Sequence, residues 1–185
     1  MAKIIIGLVG PPGSGKTSAA KYLESKGFVN LRLSSALEPE IKKRGLPLIR
    51  ESYQDLGNEW RKEKIDYLSE ILFTQIEKLP KEAKVVVEGF RNPGEVVPFK
   101  ERSNFFLIGL DAGVEERFKR VNSLGRDPQS WEEFLVLEKR DQGNDEPEWG
   151  LQVAKTLSLA DIIIDTGKDK TAVFTEIENF LKGIK

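Results

Sequence analysis

Short apolar runs alternate along this chain with longer segments in which apolar residues recur at helical spacing. The runs occupy residues 4–9, 28–33, 84–88, 105–110 and 161–165. Runs this short that are apolar almost throughout are typical of strands buried on both faces of a parallel sheet. The segments between them supply the helices that cover those faces. The pattern therefore predicts an α/β fold with five parallel strands and helices on both faces.

Helices are predicted in the segments between these runs. The first helix ends near Gly27, because glycine suits the left-handed conformation that terminates many helices. Apolar residues at helical spacing indicate further helices at about residues 114–121, 130–141, 149–159 and 171–181.

The segment between the second and third runs, residues 34–79, carries only helical patterns. The last of its three predicted helices places Leu68, Leu72 and Ile76 on one face. A segment of roughly 45 residues is longer than a crossover between parallel strands requires. It is therefore a candidate substrate-binding insertion within one domain that spans residues 1–185.

A glycine-rich motif follows the first strand directly. Residues 10–17 form a complete G-x-x-x-x-G-K-T phosphate loop, followed by a helical pattern. Its glycines let backbone N–H groups face one anion, and the helix N-terminus adds partial positive charge. Lys16 can reach the terminal phosphates, and the Thr17 hydroxyl can ligate Mg²⁺. We expect a nucleotide-binding site that consists of Gly10, Pro11, Pro12, Gly13, Ser14, Gly15, Lys16, Thr17 and Ser18.

Composition narrows the chemistry. The chain has 29 basic and 30 acidic residues and a formal net charge of −1, which gives no bulk attraction to a nucleic acid polymer. It contains no Cys and no His, which excludes disulfides, thiol nucleophiles and imidazole bases. Phosphoryl transfer remains available, because it depends on positioning, cationic side chains and Mg²⁺. The first apolar run is too short to span a membrane, so we expect a cytoplasmic protein without a membrane partner.

Two carboxylates stand at the predicted ends of strands, where ligands bind in open parallel sheets. Glu88 ends the third strand and can support Mg²⁺ through water or contact an acceptor. The alternative is an ordinary ion pair with a neighbouring Arg or Lys. Asp111 ends the fourth strand, where an N-terminal cap of the next helix is the simpler interpretation.

Arginines cluster on the loops and helices that follow these strands. Arg117 and Arg120 are i, i+3 neighbours on one predicted helix, so both are expected to face the same cleft. Guanidinium groups suit phosphate oxygens, and neutralisation of charge is what a phosphoryl-transfer transition state needs. Taken singly, each arginine is more typical of a solvated or salt-bridged surface residue, whereas the group on predicted cleft loops favours at least two phosphate contacts. The set comprises Arg91, Arg117, Arg120, Arg126 and Arg140.

Polar side chains in the insertion share one helical face. Gln54, Asn58 and Arg61 follow i, i+4, i+7 spacing. This face either contacts an acceptor or is a polar surface opposite the apolar residues Leu56 and Trp60.

Together these motifs resemble the nucleoside monophosphate kinase superfamily, and within it the dephospho-CoA kinase-like and (deoxy)nucleotide kinase-like proteins. The resemblance implies a P-loop NTPase fold with strand order 2-3-1-4-5, a helical acceptor-binding insertion at residues 34–79 and a lid at residues 112–145. The motifs that carry it are the phosphate loop, Glu88-Gly89-Phe90-Arg91, Arg117-x-x-Arg120 and Ala160-Asp161-Ile162-Ile163-Ile164-Asp165.

The resemblance also implies roles for individual residues. Arg91 would contact both the acceptor and the transferred phosphate, while Arg117, Arg120, Arg126 and Arg140 would serve the donor and the lid. The implied catalytic residues are Lys16, Arg91, Arg120 and Arg126. The implied acceptor-binding residues are Ser34, Gln54, Arg61, Glu88 and Arg91, and the implied metal residues are Thr17 and, through water, Glu88.

The chain departs from the family pattern at two positions. Glu88 stands where many members have Asp, which lengthens the side chain by one methylene. Glu38 stands where members usually have an Arg that binds the acceptor phosphate, so attraction is replaced by repulsion. The acceptor phosphate would then be held by Arg32, Arg50, Arg61 or Arg91, or the acceptor is not a simple monophosphate.

The expected function is an ATP-dependent nucleotide kinase that transfers the γ-phosphate to a (deoxy)nucleoside monophosphate. One alternative is a dephospho-CoA kinase-type enzyme with a hydroxyl acceptor, and another is a regulatory NTP-binding module without an acceptor. The guanine-reading T/N-K-x-D motif of GTPases is absent from the sequence. We expect ATP and Mg²⁺ as donor and cofactor, a small-molecule acceptor, and a monomer or homodimer.

Overall fold

A parallel sheet forms the centre of the protein. The computed structural model describes residues 3–102, 104–125 and 130–184. Its strands pair in the order β2-β3-β1-β4-β5, and every pairing is parallel. The predicted sheet and its strand order are therefore confirmed. The strands are β1 (Ile4–Val9), β2 (Phe28–Arg32), β3 (Lys84–Glu88), β4 (Phe105–Asp111) and β5 (Ile162–Asp165).

Helices connect the strands on both sides of the sheet. A short 3₁₀ turn at Leu33–Ala36 follows β2. None of the helices in the described ranges 3–102, 104–125 and 130–184 has the length and apolar character to cross a membrane. The helices are α1 (Lys16–Ser25), α2 (Glu38–Lys43), α3 (Arg50–Glu63), α4 (Tyr67–Glu77), α5 (Pro93–Lys100), α6 (Val114–Ser123), α7 (Trp131–Gln142), α8 (Val153–Leu157) and α9 (Lys170–Gly183).

Two apolar cores lie against opposite faces of the sheet. Successive side chains of a strand point to opposite faces, so Val85 and Val87 enter one core and Val86 enters the other. Phe99 of α5 and Leu72 of α4 belong to the first core. The second core contains apolar side chains of α1 and α9, among them Ala20, Leu23, Val173 and Ile177.

The structure differs from the expected helices in two places. Helix α5 was not predicted, because its two prolines and adjacent valines are poor helix formers. Its signal was a capping box: the Asn92 side chain accepts from the Gly94 N–H, and Glu95 accepts from the Asn92 N–H. Residues 149–159 were expected to be one helix, but only Val153–Leu157 is helical.

The carboxyl ends of the strands meet at one edge of the sheet, because all pairings are parallel. In parallel register, Glu88 lies opposite Leu8 of β1 and opposite Arg32 of β2. The phosphate-loop motif begins immediately after β1, which is flanked by β3 and β4. Ligands in open α/β sheets bind at this edge, where the chain leaves the central strand.

Candidate active site

The loop between β1 and α1 is built around backbone conformations that only glycine adopts easily. Gly13 has φ 77°, and a Cβ atom there would lie 2.5 Å from the carbonyl oxygen of Arg117. A Cβ atom on Gly10 would lie 2.0 Å from the carbonyl oxygen of Leu110. Both contacts are shorter than van der Waals packing allows. The loop can therefore approach β4 and α6 this closely only with glycine at these positions.

Lys16 is the first residue of α1 and folds back onto the loop. Its Nζ donates to the carbonyl oxygens of Gly10 at 2.6 Å and Pro11 at 2.9 Å. Burial and, to a smaller extent, repulsion from Arg91 lower the pKa of Lys16 to about 7, although Asp141 and Glu88 act in the opposite direction. A polyanionic ligand at this position would favour the charged amine and raise the pKa again.

This pKa predicts a proton uptake on binding of a nucleotide. At pH 8.5 the Lys16 amine of the free protein is largely neutral, because its pKa is about 7. Bound phosphates raise the pKa, so we expect uptake approaching about one proton per nucleotide and weaker affinity as the pH rises above 7. Calorimetry of ADP binding in buffers with different ionisation enthalpies measures the uptake. A value of zero at pH 8.5 would contradict the assigned environment of Lys16.

A cleft of ≈ 820 Å³ opens beside the loop. This volume lies within the roughly 300–1,000 Å³ that small-molecule sites occupy. Its walls come from the phosphate loop, the ends of β2 and β3, α6, and the beginning of α9. Among the predicted site residues, those that line it are Pro12, Gly13, Gly15, Lys16, Thr17, Ser18, Ser34, Glu88, Arg91 and Arg120.

Arg120 ties α6 to the segment after β5. Its Nη2 donates to the Thr166 carbonyl at 2.6 Å, and its Nη1 donates to the Thr166 hydroxyl at 3.1 Å and the Gly13 carbonyl at 3.3 Å. The Thr166 hydroxyl lies 3.0 Å from the Ser14 carbonyl. Arg120 therefore borders the cleft and braces the loop.

Arg117 has different surroundings, which corrects the expectation that it faces the same cleft as Arg120. Its guanidinium group is buried, and it pairs with both carboxylate oxygens of Glu138 at 2.7 and 2.6 Å. It also lies near the carbonyl oxygens of Ala112 and Pro12. With all these partners inside the fold, Arg117 holds α6 against α7 behind the loop, and a direct contact with nucleotide stays a prediction.

Glu88 and Thr17, the two predicted metal residues, both line the cleft. The Glu88 Oε1 atom accepts from Arg32 Nε at 2.7 Å and lies 3.4 Å from the Asn30 amide. Glu88 therefore forms the ion pair of the alternative interpretation, and its contact with a metal or an acceptor stays a prediction. The described residues contain no cluster of three or more carboxylates that would hold a metal without a nucleotide.

A second cavity of ≈ 210 Å³ adjoins the cleft on the side of the insertion. Its walls combine apolar side chains, among them Leu33, Leu37 and Leu68, with polar and charged ones. Of the predicted acceptor residues, Ser34, Gln54, Arg61 and Arg91 line it. Glu38 is not among the described residues that line either cavity. The residues that border both cavities are Ser34, Arg50, Gly89 and Arg91.

A buried carboxylate holds the two arginines at this junction. Asp141 of α7 is fully buried, and its Oδ2 atom accepts from Arg50 Nη2 and, at 3.4 Å, from Arg91 Nη1. Gln54 Nε2 donates to its Oδ1 atom at 3.0 Å. Burial and the nearby Arg91 lower the pKa of Arg50, and Asp141 opposes this shift. The junction therefore carries two guanidinium groups that share one counter-charge.

The predicted polar face of α3 packs against the segment that follows α7. Asn58 donates to Glu146 at 3.1 Å, and Arg61 Nε donates to the Trp149 carbonyl at 3.0 Å. Arg61 Nη1 donates to Glu95 Oε1 at 2.8 Å, while Glu95 Oε2 accepts from the Arg91 N–H at 2.6 Å. We call the contacts of Arg50, Gln54, Asn58 and Arg61 with Asp141, Glu146 and Trp149 the polar seam. Arg61 thus fixes Glu95, which in turn fixes the backbone of Arg91.

One other predicted arginine, Arg140, lies away from both cavities. Arg140 pairs with Glu146 at 2.7 Å and Asp55 at 3.3 Å, and it is not among the described residues lining either cavity. Arg126 lies outside the described residues.

The sequence did not identify several residues at the site. Asp141 and Glu95 were missed because a carboxylate on a charged helical segment gives no periodic signal of burial. Thr166 could have been found from the sequence, because it directly follows β5 and so lies at the ligand-binding edge of the sheet.

The fold and the loop together define a P-loop protein with a kinase-like fold. A family model described as "AAA domain" matches residues 6–145. The UPF0200 protein PH1008 of Pyrococcus horikoshii is 31% identical over 168 residues, which cover 87% of each chain. The chain belongs to the AAA domain family and to the UPF0200 proteins.

Solved structures agree on the fold. TT1252 from Thermus thermophilus superposes with a TM-score of 0.64 at 19% identity, over 100% of both chains. Shikimate kinase from Aquifex aeolicus gives a TM-score of 0.56 at 21% identity, over 97% of both chains. The resemblance to the nucleoside monophosphate kinase superfamily is thereby confirmed for the fold.

Proposed function

We propose that this protein is an ATP-dependent kinase that transfers the γ-phosphate of ATP to a (deoxy)nucleoside monophosphate. The observation that carries the proposal is the junction of two cavities at Arg50 and Arg91, beside Lys16. The cleft at the phosphate loop receives the triphosphate, and the smaller cavity receives part of the acceptor. The transferred group then crosses a short stretch bordered by cationic side chains.

Each residue of the site has a role that follows from its position. Lys16 leaves the loop carbonyls and neutralises the terminal phosphates of the donor, and Arg120 borders the donor side of the cleft. Arg91 lies at the junction, where a guanidinium fork can stabilise charge on the group in transfer. A phosphoryl transfer of this kind needs positioning and charge neutralisation more than a covalent intermediate. The absence of His and Cys from the sequence is therefore no obstacle.

The residues at the cleft also fit Mg²⁺. The Thr17 hydroxyl is exposed at the beginning of α1, and the Glu88 carboxylate borders the same cleft, so two oxygen ligands of the kind that Mg²⁺ prefers are available. Thr17 would hold the ion directly and Glu88 through water. When bound with ATP, the ion supplies neutralisation of phosphate charge.

Charge at the junction favours an anionic acceptor. Arg50 and Arg91 share one carboxylate, so this group of three side chains retains one net positive charge. A phosphate monoester compensates that charge and is already deprotonated at its nucleophilic oxygen at neutral pH. Such an acceptor requires no general base. Arg50 takes the place of the Arg that the family pattern usually has at the position of Glu38.

A hydroxyl acceptor of the dephospho-CoA type is the second candidate, and the position of Glu88 favours it. A carboxylate at the end of β3 borders the cleft and can accept the proton of an attacking hydroxyl. The two candidates make different demands on Glu88. Glu88→Gln would abolish transfer to a hydroxyl, whereas transfer to a monophosphate would lose only the water-mediated support of Mg²⁺ and would fall by a smaller factor.

The deciding experiment measures ADP formation from ATP with a panel of ribo- and deoxyribonucleoside monophosphates and dephospho-CoA. A monophosphate that accelerates ADP formation and appears as its diphosphate supports the proposal. Phosphorylation of dephospho-CoA alone would select the second candidate. Slow hydrolysis of ATP that no acceptor accelerates would overturn both and indicate a regulatory NTP-binding module.

Replacement of Arg91 by Ala should distinguish binding of the donor nucleotide from transfer of the phosphate. We expect ADP affinity to stay within about threefold of wild type, while transfer falls about 10²-fold, since one preorganised charge donor is lost. The matched control is Arg44→Ala, because Arg44 pairs with Glu40 and Glu59 on the surface of the insertion. Wild-type turnover in Arg91→Ala would remove Arg91 from the site.

A further inference from the structure

Arg50 and Arg91 approach the junction of the two cavities from different elements. Arg50 is the first residue of α3, whereas Arg91 lies in the loop after β3. Two guanidinium groups that lie side by side repel each other, so this placement requires a negative charge that both can contact. The fold supplies one carboxylate that both contact, and it comes from a third element, the C-terminal turn of α7.

The shared carboxylate is wholly enclosed by the protein. Asp141 has no exposed surface, while the side chains of Arg50 and Arg91 remain 27% and 30% exposed and border both cavities. Asp141 therefore contacts the guanidinium groups from the protein side, while both arginine side chains border the cavities. The Arg50 Nε atom is buried and has no hydrogen-bond partner among the described residues. A buried donor without a partner is costly unless a ligand or water satisfies it.

We propose that Asp141 is a positioning residue that assembles Arg50 and Arg91 into one clamp for the acceptor phosphate. The proposal rests on the proposed function, which places an anionic acceptor at this junction. The clamp consists of Arg50, Arg91 and Asp141, with Gln54 holding the second carboxylate oxygen. Asp141 also links the clamp to α7, because displacement of the helix end would release both arginines.

The test compares Asp141→Asn with Asp145→Asn. Asn keeps the size of Asp141 but places an amide donor against groups that are themselves donors. Asp145 is an exposed aspartate four residues later, with φ 60°, a backbone conformation that Asn tolerates well. Both variants remove one negative charge from the same region, so only the position differs.

The first readout is a titration with inorganic phosphate, followed through the guanidinium resonances of Arg50 and Arg91 in the protein with bound ADP and Mg²⁺. In the wild type and in Asp145→Asn, both resonances should respond together. In Asp141→Asn the phosphate affinity should fall about tenfold or more, because the donors are no longer held in place. Equal affinity in both variants, or no response in the wild type, would overturn the proposal.

The second readout is the same phosphate titration in Gln54→Met, which also serves if Asp141→Asn does not fold. This variant keeps the charge of Asp141 and frees one of its carboxylate oxygens, so it should weaken phosphate binding in the same direction. An unchanged phosphate affinity in Gln54→Met would then count against the clamp. Failure of the proposed function has a separate signature, since the phosphate response would persist while no acceptor in the panel is phosphorylated.

Discussion

Replacing Lys16 by Ala should abolish phosphoryl transfer without destabilising the protein. We expect ADP and ATP affinity to fall by at least about tenfold and transfer by about 10³-fold or more, because the cation nearest the terminal phosphates is lost. Stability should be retained, since the Lys16 amine is buried among two arginines and its charged form is disfavoured in the free protein.

The pH dependence of stability provides a second signature of the same substitution. The folded-state pKa of Lys16, about 7, lies below its ordinary value of 10.5, so the unfolded chain binds more protons between these two values. The free energy of unfolding of the wild type should therefore rise with pH across this interval, relative to that of Lys16→Ala. Urea unfolding of both proteins at pH 6.5 and pH 9.5 gives the difference.

The control for this experiment is Lys21→Ala, because Lys21 lies on the same helix and is exposed. It should retain nucleotide binding and the wild-type dependence of stability on pH. If Lys16→Ala binds nucleotide as tightly as Lys21→Ala does, the assignment of the donor site is wrong.

Replacing Arg61 by Ala should destabilise the fold by about 3–5 kcal/mol, the usual effect of removing one partner of a buried ion pair. Arg61 is 3% exposed and Glu95 is fully buried, so the substitution leaves a carboxylate inside the protein without its cation. Urea unfolding at pH 7 measures the loss. Lys62→Ala, at the exposed neighbouring position, should cost less than about 1 kcal/mol.

A double variant identifies the cause of that loss. Gln at position 95 is neutral and still suits the third position of the capping box, so Arg61→Ala with Glu95→Gln should be more stable than Arg61→Ala alone. The sequence also predicted that Arg61 binds the acceptor, and Arg61 does line the smaller cavity. A loss below about 1 kcal/mol, together with a raised KM for the acceptor, would favour that role over the structural one.

The fold could be predicted from the sequence because its signals are local. The five apolar runs and the complete phosphate loop indicated the parallel sheet and the place of the site, whereas the strand order 2-3-1-4-5 was implied by the resemblance to a known family. Lys16, Thr17 and Glu88 were found in this way, and all three border the cleft. Their roles with nucleotide and metal stay predictions.

The remaining residues depend on contacts between distant parts of the chain. The spacing of Gln54, Asn58 and Arg61 indicated a shared face but not what covers it, and the cover is the segment that contains Asp141 and Glu146. Likewise, the i, i+3 spacing of Arg117 and Arg120 does not indicate that Glu138 forms an ion pair with Arg117 and not with Arg120. Helical periodicity specifies which residues share a face, whereas tertiary packing decides their partners.

The polar seam has a consequence for movement. When a polar interface separates in water, its groups replace their internal hydrogen bonds with hydrogen bonds to solvent. Polar interfaces within a chain therefore separate more readily than apolar ones. The seam joins α3 to residues 141–149 through charged and amide groups at Arg50, Gln54, Asn58 and Arg61. Rehydration offsets much of the cost of parting these surfaces, whereas an apolar contact of equal area would resist it. The acceptor side of this protein is thus joined to the rest by a contact that water can replace.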